Sequence, residues 1–269
     1  MASSAETQNH FSPSDLFSLS NQNVLITDSG ATRGIGQACA VGLAKAGAKH
    51  IVLVQRDTSN TATRDQITDA GAKADIVVAD LSNIDAVKGV FDQALKVADG
   101  GHIDVLVNCG GIQRRSPSTE FSEDDWDDVI NVNLKSVWLL SQAAGRHMVP
   151  RRHGKIINFA SLLTFQGGFT VPAYASAKGA VGQLTKALSN EWSRENINVN
   201  AIAPGYIATD MNEKLLADPT RLRQISERIP ANRWGQPADF VGPVIFLASE
   251  ASKYLNGEIL TVDGGWMGR

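Results

Sequence analysis

From Asn23 onward, short apolar runs alternate with stretches whose apolar residues recur at helical spacing. The runs are Val24–Thr27, Ile51–Val54, Ile76–Ala79, Ile103–Asn108, Lys155–Ser161, Asn198–Ala203 and Glu258–Val262. A strand that is apolar at consecutive positions has no solvent face, so it must be covered on both sides. Such strands, separated by helices, belong in a parallel sheet with a helical layer on each face. The pattern predicts one doubly wound Rossmann-type α/β domain over residues 21–269, with seven strands. Residues 1–20 are rich in Ser, Thr, Asn and Gln and hold few apolar side chains before Leu16. Too little burial is on offer there to offset the loss of chain entropy, which predicts a disordered tail.

Composition excludes several classes of function. Hydrophobic residues at 43% and charged residues at 20% suit a water-soluble domain with a large core. A net charge of −3 provides no basic surface for nucleic acid. No apolar run approaches the roughly 20 residues that span a bilayer. The first 20 residues contain no Lys or Arg and no signal-type apolar core, so a cytoplasmic location is expected. Cys39 and Cys109 are too few and too far apart for a disulfide framework, and the five histidines form no ligand set. No metal is expected.

Two stretches carry chemistry. After the first strand comes the turn Gly30-Ala-Thr-Arg33-Gly34-Ile35-Gly36, leading into a helix. Glycines there allow close approach of a phosphate, and the helix N-terminus offers it free N–H groups. The second stretch is Ser161 to Lys178. Tyr174 and Lys178 are four apart at the start of a helical pattern, so they share a face. A positive charge beside a phenol favours the phenolate and predicts a lowered tyrosine pKa. Ser161, 13 positions before Tyr174, ends an apolar run and offers a hydroxyl for the same substrate oxygen. Tyr and Lys at this spacing also meet by chance on many solvated helices; the serine offset and the glycine turn are what single this pair out.

With these motifs the chain resembles the short-chain dehydrogenase/reductase family over residues 22–269. The resemblance implies a catalytic tetrad of Asn133, Ser161, Tyr174 and Lys178, with Asn133 opening its helix locally. It implies that a nicotinamide cofactor is held by Gly30, Arg33, Gly34, Ile35, Gly36, Asp80, Leu81, Asn108 and Gly110, and by Tyr174 and Lys178. Pro204, Gly205, Ile207 and Thr209 correspond to the loop over the nicotinamide, and residues 210–233 to a substrate lid. The chain departs from the family pattern where Asp28 and Ser29 separate Thr27 from Gly30, and where Cys109 and Gly110 replace the usual residues after Asn108. A narrower resemblance lies in Gln113-Arg114-Arg115, Phe165-Gln166-Gly-Gly, Arg228-Ile-Pro-Ala-Asn-Arg-Trp-Gly and the terminal Asp263-Gly-Gly-Trp266-Met-Gly-Arg. These segments are similar to 2-dehydro-3-deoxy-D-gluconate 5-dehydrogenases, also described as 2-deoxy-D-gluconate 3-dehydrogenases.

The implied reaction is hydride transfer between a secondary alcohol and a ketone on a sugar acid. Reduction of another carbonyl, such as a 3-oxoacyl thioester or a secondary-metabolite ketone, would use the same tetrad. A non-catalytic redox sensor would have no need of all four residues. Arg114 or Arg115, with Gln166, are candidates for the substrate, although both arginines also fit a solvated loop. The second strand ends at Gln55 followed by Arg56, with no carboxylate at the position that binds the ribose of NAD. The charges of Arg56 and Arg33 therefore favour NADP(H), with NAD(H) as the alternative. The helix after Tyr174 carries apolar residues on more than one face (Val181, Leu184, Ala187, Leu188, Trp192), which suggests a second subunit there. The family resemblance makes that assembly a homotetramer.

Overall fold

The computed structural model describes residues 12–27 and 34–269. Seven strands form one sheet: β1 (Asn23–Thr27), β2 (His50–Gln55), β3 (Lys73–Val78), β4 (Val105–Asn108), β5 (Gly154–Phe159), β6 (Ile197–Pro204) and β7 (Ile259–Val262). Their order is β3-β2-β1-β4-β5-β6-β7, and every neighbouring pair is parallel. The helices are α1 (Pro13–Phe17), α2 (Ile35–Lys45), α3 (Ala62–Asp69), α4 (Ile84–Val97), α5 (Glu123–Ile130), α6 (Ser136–Arg151), α7 (Pro172–Trp192), α8 (Glu213–Leu216), α9 (Pro219–Arg228) and α10 (Val241–Ala248).

The continuous apolar runs divide between two cores by simple alternation. Val24 and Ile26 of β1, Ile51 and Leu53 of β2, and Val105 and Val107 of β4 point to one face, where α2 and α10 cover them. Leu25, Val52, Val54 and Leu106 point to the other face, against α4, α6 and α7. Period-two geometry turns each run into two half-sets, each with its own helical cover. On the second face Gly145 of α6 admits Trp192 of α7 so closely that an added Cβ would lie 2.6 Å from the indole. The apolar side of α7 is therefore used within the subunit: Val181 and Leu188 are buried, and Leu184 and Trp192 pack on the core. Of the apolar residues named above for α7, Ala187 is the one left exposed.

Chain order runs outward from β1 to β3 and then returns to β4 on the other side of β1. Such a switch point, beyond the carboxyl ends of the strands, is the ligand position in this architecture.

The expected disordered stretch 1–20 does not extend to residue 20. Residues 13–17 are helical, Leu19 is fully buried in the first core, and Ser20 bridges Ala48. Averaging composition over the whole stretch hid a local apolar anchor, Leu19, whose N–H donates to Ala46 O at 3.0 Å. Residues 1–11 lie outside the described residues, as do 28–33, which include Gly30, Arg33 and the Asp28-Ser29 insertion.

Candidate active site

Beyond β5 the chain makes a short 3-10 turn, Leu162–Thr164, with Ser161 at its N-cap. The strand ends at Phe159, two residues earlier than the apolar run suggested, which frees the Ser161 side chain from the sheet. Its Oγ accepts from Leu163 N at 3.2 Å, and Thr164 Oγ1 donates to Lys178 O at 2.8 Å. These bonds fasten the serine turn to α7, which starts at Pro172, where the lacking N–H costs nothing. Tyr174 and Lys178 then project from the first two turns of α7, with the Ser161 side chain near enough to the Tyr174 phenol to favour its ionised form.

The electrostatics differ from the expectation. Burial pushes the Tyr174 phenol up to about 12, against the smaller downward effects of Ser161 and Arg115. Lys178 does not offset this. Its Nζ lies 5.6 Å from the Tyr174 ring centroid and donates to Phe159 O at 2.6 Å. Burial likewise pushes the Lys178 ammonium down to about 8, because a desolvated cation gives up its proton more readily. Desolvation outweighs the effect of the four-residue spacing.

Asn133 is fully buried in a π-helical turn, Asn131–Lys135, a local opening of the helix of the kind the resemblance implied. Its Nδ2 donates to Ile112 O and Val129 O, both at 2.9 Å, and its Oδ1 accepts from Ile112 N at 3.2 Å. The wider turn lets one side chain stitch the helix to the loop after β4. Gly111 sits in that loop so tightly that an added Cβ would lie 2.7 Å from Asn133 Oδ1 and 4.0 Å from Lys178 Nζ. The structure thus brings Asn133, Ser161, Tyr174 and Lys178 to one place.

The crevice residues line the strand ends. Thr27 Oγ1 accepts from Cys109 N and Gly110 N, both at 3.0 Å, joining the ends of β1 and β4. Gly110 admits Leu81, whose Cδ1 would lie 2.5 Å from an added Cβ. Asn108 is buried and donates to Ser141 Oγ and Asn158 Oδ1. Asp80, just past β3, accepts from the N–H and hydroxyl of Ser82. Gly34 caps α2, and Ile35 and Gly36 open it. Gln55 is buried, its Nε2 donating to Asn60 O at 3.3 Å while Oε1 has no partner; Arg56 beside it is exposed. Asp57 is turned away onto Ser59. Pro204 ends β6, Gly205 passes so close to Asp263 that a Cβ would lie 2.7 Å from its Cα, and the buried Ile207 and the following Thr209 continue the loop.

The two candidate arginines separate. Arg114 pairs with Asp125 at 3.1 Å and Asp128 at 3.5 Å on α5. Arg115 instead is exposed, its pKa lowered by partial desolvation, with Tyr206, Arg221 of α9 and Tyr174 within electrostatic reach. Gln166 accepts from Trp266 Nε1 at 3.3 Å. Among the described residues no group of His, Cys, Asp or Glu side chains is arranged to hold a metal ion.

A family model described as "Enoyl-(Acyl carrier protein) reductase" matches residues 30–267. The chain belongs to the short-chain dehydrogenase/reductase family. It is 48% identical over 254 residues to the 2-dehydro-3-deoxy-D-gluconate 5-dehydrogenase of Escherichia coli K12, covering 94% of this chain and 98% of the relative. A crystal structure of a putative 2-deoxy-D-gluconate 3-dehydrogenase from Agrobacterium tumefaciens with bound NADP superposes with a TM-score of 0.87 at 47% identity, over 95% of this chain and all of that one. A gluconate 5-dehydrogenase from Burkholderia cenocepacia in complex with NADP and tartrate gives 0.89 at 42% identity, over 95% and 99% of the two chains. The enzyme is an oxidoreductase of this family.

Several residues that build the oxidoreductase site were not singled out from sequence. Thr27, Gly111 and Thr164 act through contacts between segments distant in the chain. Only the glycine run at 110–111 carried a sequence signal, since consecutive glycines after a strand mark close backbone approach.

Proposed function

We propose that the enzyme interconverts a secondary alcohol and a ketone on a sugar acid, using NADP(H). The observation that carries this reading is the convergence of Asn133, Ser161, Tyr174 and Lys178 at the C-terminal ends of the strands, with Arg115 within electrostatic reach of Tyr174. The sugar-acid enzymes among its relatives support the substrate class, and the solved relatives with bound NADP support the cofactor.

The residues present fit such a cofactor. Gln55 Oε1, buried and without a partner at the end of β2, offers an acceptor to a ribose hydroxyl, and Arg56 offers a cation to a 2′-phosphate. Gly34, Ile35 and Gly36 at the start of α2 would receive the pyrophosphate, with Gly30 and Arg33 preceding them. Asp80, Leu81, Asn108 and Gly110 would line the adenosine side. Pro204, Gly205, Ile207 and Thr209 would line the nicotinamide side. The bound cofactor supplies or accepts the hydride.

The chain's own residues manage the proton. Tyr174, held protonated across the neutral range, is the acid that delivers a proton to the carbonyl oxygen in reduction. Ser161, beside that phenol, polarises the same oxygen. Lys178 supplies positive charge beside the site, and Asn133 holds the loop at Gly111 against it. Arg115 receives the substrate carboxylate through its guanidinium fork, since Arg114 is already engaged by two aspartates. Residues 210–233, carrying α8 and α9, form the lid.

The enzyme is proposed to work as a cytoplasmic homotetramer. The supporting feature is on α5 and α6, where Trp126 and Trp138 are each 38% exposed. No described helix is long and apolar enough to cross a membrane.

The deciding experiment is a panel of keto-sugar acids, 3-oxoacyl thioesters and simple ketones, each followed with NADPH and NADH. Preferred turnover of a keto-sugar acid with NADPH is expected. Faster reduction of thioesters, or a clear preference for NADH, would overturn the corresponding half of the reading.

A further inference from the structure

A satellite core lies beside the catalytic turn, built from Leu162, Ile225, Ile229, Trp234 and Trp266. Its members come from four distant segments: the serine turn, the end of the lid, the stretch after it and the C-terminal turn. Trp266 is 5% exposed within this cluster. Its ring lies 4.7 Å from that of Tyr206 in the nicotinamide-side loop, and the Arg228 guanidinium of α9 stacks over it at 3.9 Å. The C-terminal turn is also tied to the lid by Ala231 N donating to Gly264 O and by Arg269 donating to Glu227 O.

The polar edge of Trp266 meets Gln166, five residues after Ser161, with Nε1 donating to Oε1 at 3.3 Å. An indole N–H can only donate, so it dictates which end of the amide faces it. Gln166 is thereby held with its oxygen engaged, and what it keeps for a ligand is its NH2 group. Two N–H donors suit the hydroxyl and carboxylate oxygens of a sugar acid.

We propose that Trp266 is a positioning residue for substrate, acting through Gln166: its N–H orients the amide so that Gln166 presents N–H donors to an oxygen-rich substrate, while its ring ties that orientation to the lid through Arg228. The inference rests on the sugar-acid reading above for the nature of the ligand. It assigns to the C-terminal turn a part in substrate selection that a packing role alone would not give it.

A double-mutant cycle on kcat/KM for the best keto-sugar acid tests this, with KM for NADPH and Tm as controls. Trp266→Phe keeps a ring for Tyr206 and Arg228 but removes the N–H. Gln166→Leu removes the amide. Each single change is expected to lower kcat/KM about tenfold, mainly through KM, the scale of one lost hydrogen bond. The double variant is expected to be no worse than Gln166→Leu alone, because Trp266 acts only through the amide. A full additional loss from Trp266→Phe in the Gln166→Leu background would overturn the inference. Gln166→Glu supplies an independent arm that leaves Trp266 intact: it keeps an acceptor for the indole and loses both N–H donors. Its KM should rise at least as far as that of Gln166→Leu, and an unchanged KM would overturn the donor assignment. Failure of the underlying reading would show in the wild type, as turnover of another carbonyl in place of keto-sugar acids. The same cycle run on that carbonyl would still decide, with coupling upholding the positioning role and additivity rejecting it.

Discussion

The two ends of the sheet treat charge in opposite ways. At the N-terminal ends of the strands, ionic groups have partners. Asp99 pairs with Lys49 and Lys73, and their hydrogen bonds hold its carboxyl down at about 2. Buried Asp104 takes Arg151 at 2.9 Å and Asn23 N at 2.9 Å, with His102 and His153 nearby. His50 is buried between Asp99 N, which donates to its Nδ1, and Asp75, and burial keeps its pKa low. At the C-terminal ends, Tyr174 and Lys178 have no carboxylate bonded to them among the described residues, and burial pushes the Tyr174 phenol up to about 12 and the Lys178 ammonium down to about 8. One end uses ionisable groups to hold the fold together. The other tolerates poorly compensated ones, as a site must if it is to exchange protons.

The largest effect that would sharpen this contrast is at the catalytic end. Tyr174→Phe should reduce kcat about 1,000-fold, the usual worth of a positioned acid. Tm and the Kd for NADPH should stay near wild type; a variant with substantial turnover would remove Tyr174 from its role. At the opposite end Asp104→Ala should do the reverse. It strips a buried partner from Arg151 and should cost about 3 kcal/mol in denaturant unfolding while leaving kcat intact. Lost activity in the folded variant would break the contrast.

Lys178→Met should lower kcat yet raise stability at neutral pH by about 1–3 kcal/mol, because the buried ammonium is worse solvated in the fold than in the unfolded chain. The sign follows from a folded pKa of about 8 below the ordinary 10.5. Between those values the unfolded chain binds the extra proton, so the wild type gains stability as pH rises from 8 to 10.5. The advantage of the methionine variant should therefore shrink over that window. A constant difference across it would show that the ammonium is not desolvated.

The smallest effect separates the paired arginines. Arg115→Ala should raise KM for keto acids roughly tenfold or more and leave neutral ketones nearly unchanged. Arg114→Ala, which only releases Asp125 and Asp128, should change both substrates alike and weakly. The reverse order would place the carboxylate on Arg114.

The alternation of apolar runs was enough to predict the seven strands and the doubly wound architecture, because burial on both faces leaves its mark at every position of a strand. The spacing of Tyr174 and Lys178, and the offset to Ser161, were legible for the same local reason: helix periodicity places residues four apart on one face. Motif resemblance also singled out Asn133 and the local opening of its helix.

Tertiary structure decided what depends on surroundings that no local window contains. The direction of the Tyr174 shift follows from desolvation by segments far apart in the chain, which overrode a sound argument from spacing. Arg114 and Arg115 are adjacent and alike in sequence, and only the position of α5 consumes one of them. Leu19 could not be recognised as an anchor until the first core existed to receive it. Gln166 and Trp266, 100 positions apart, acquire a relation only when the C-terminal turn folds back over the catalytic turn. Patterns of burial and period are written along the chain, whereas the charge, orientation and pairing of a side chain are properties of what packs around it.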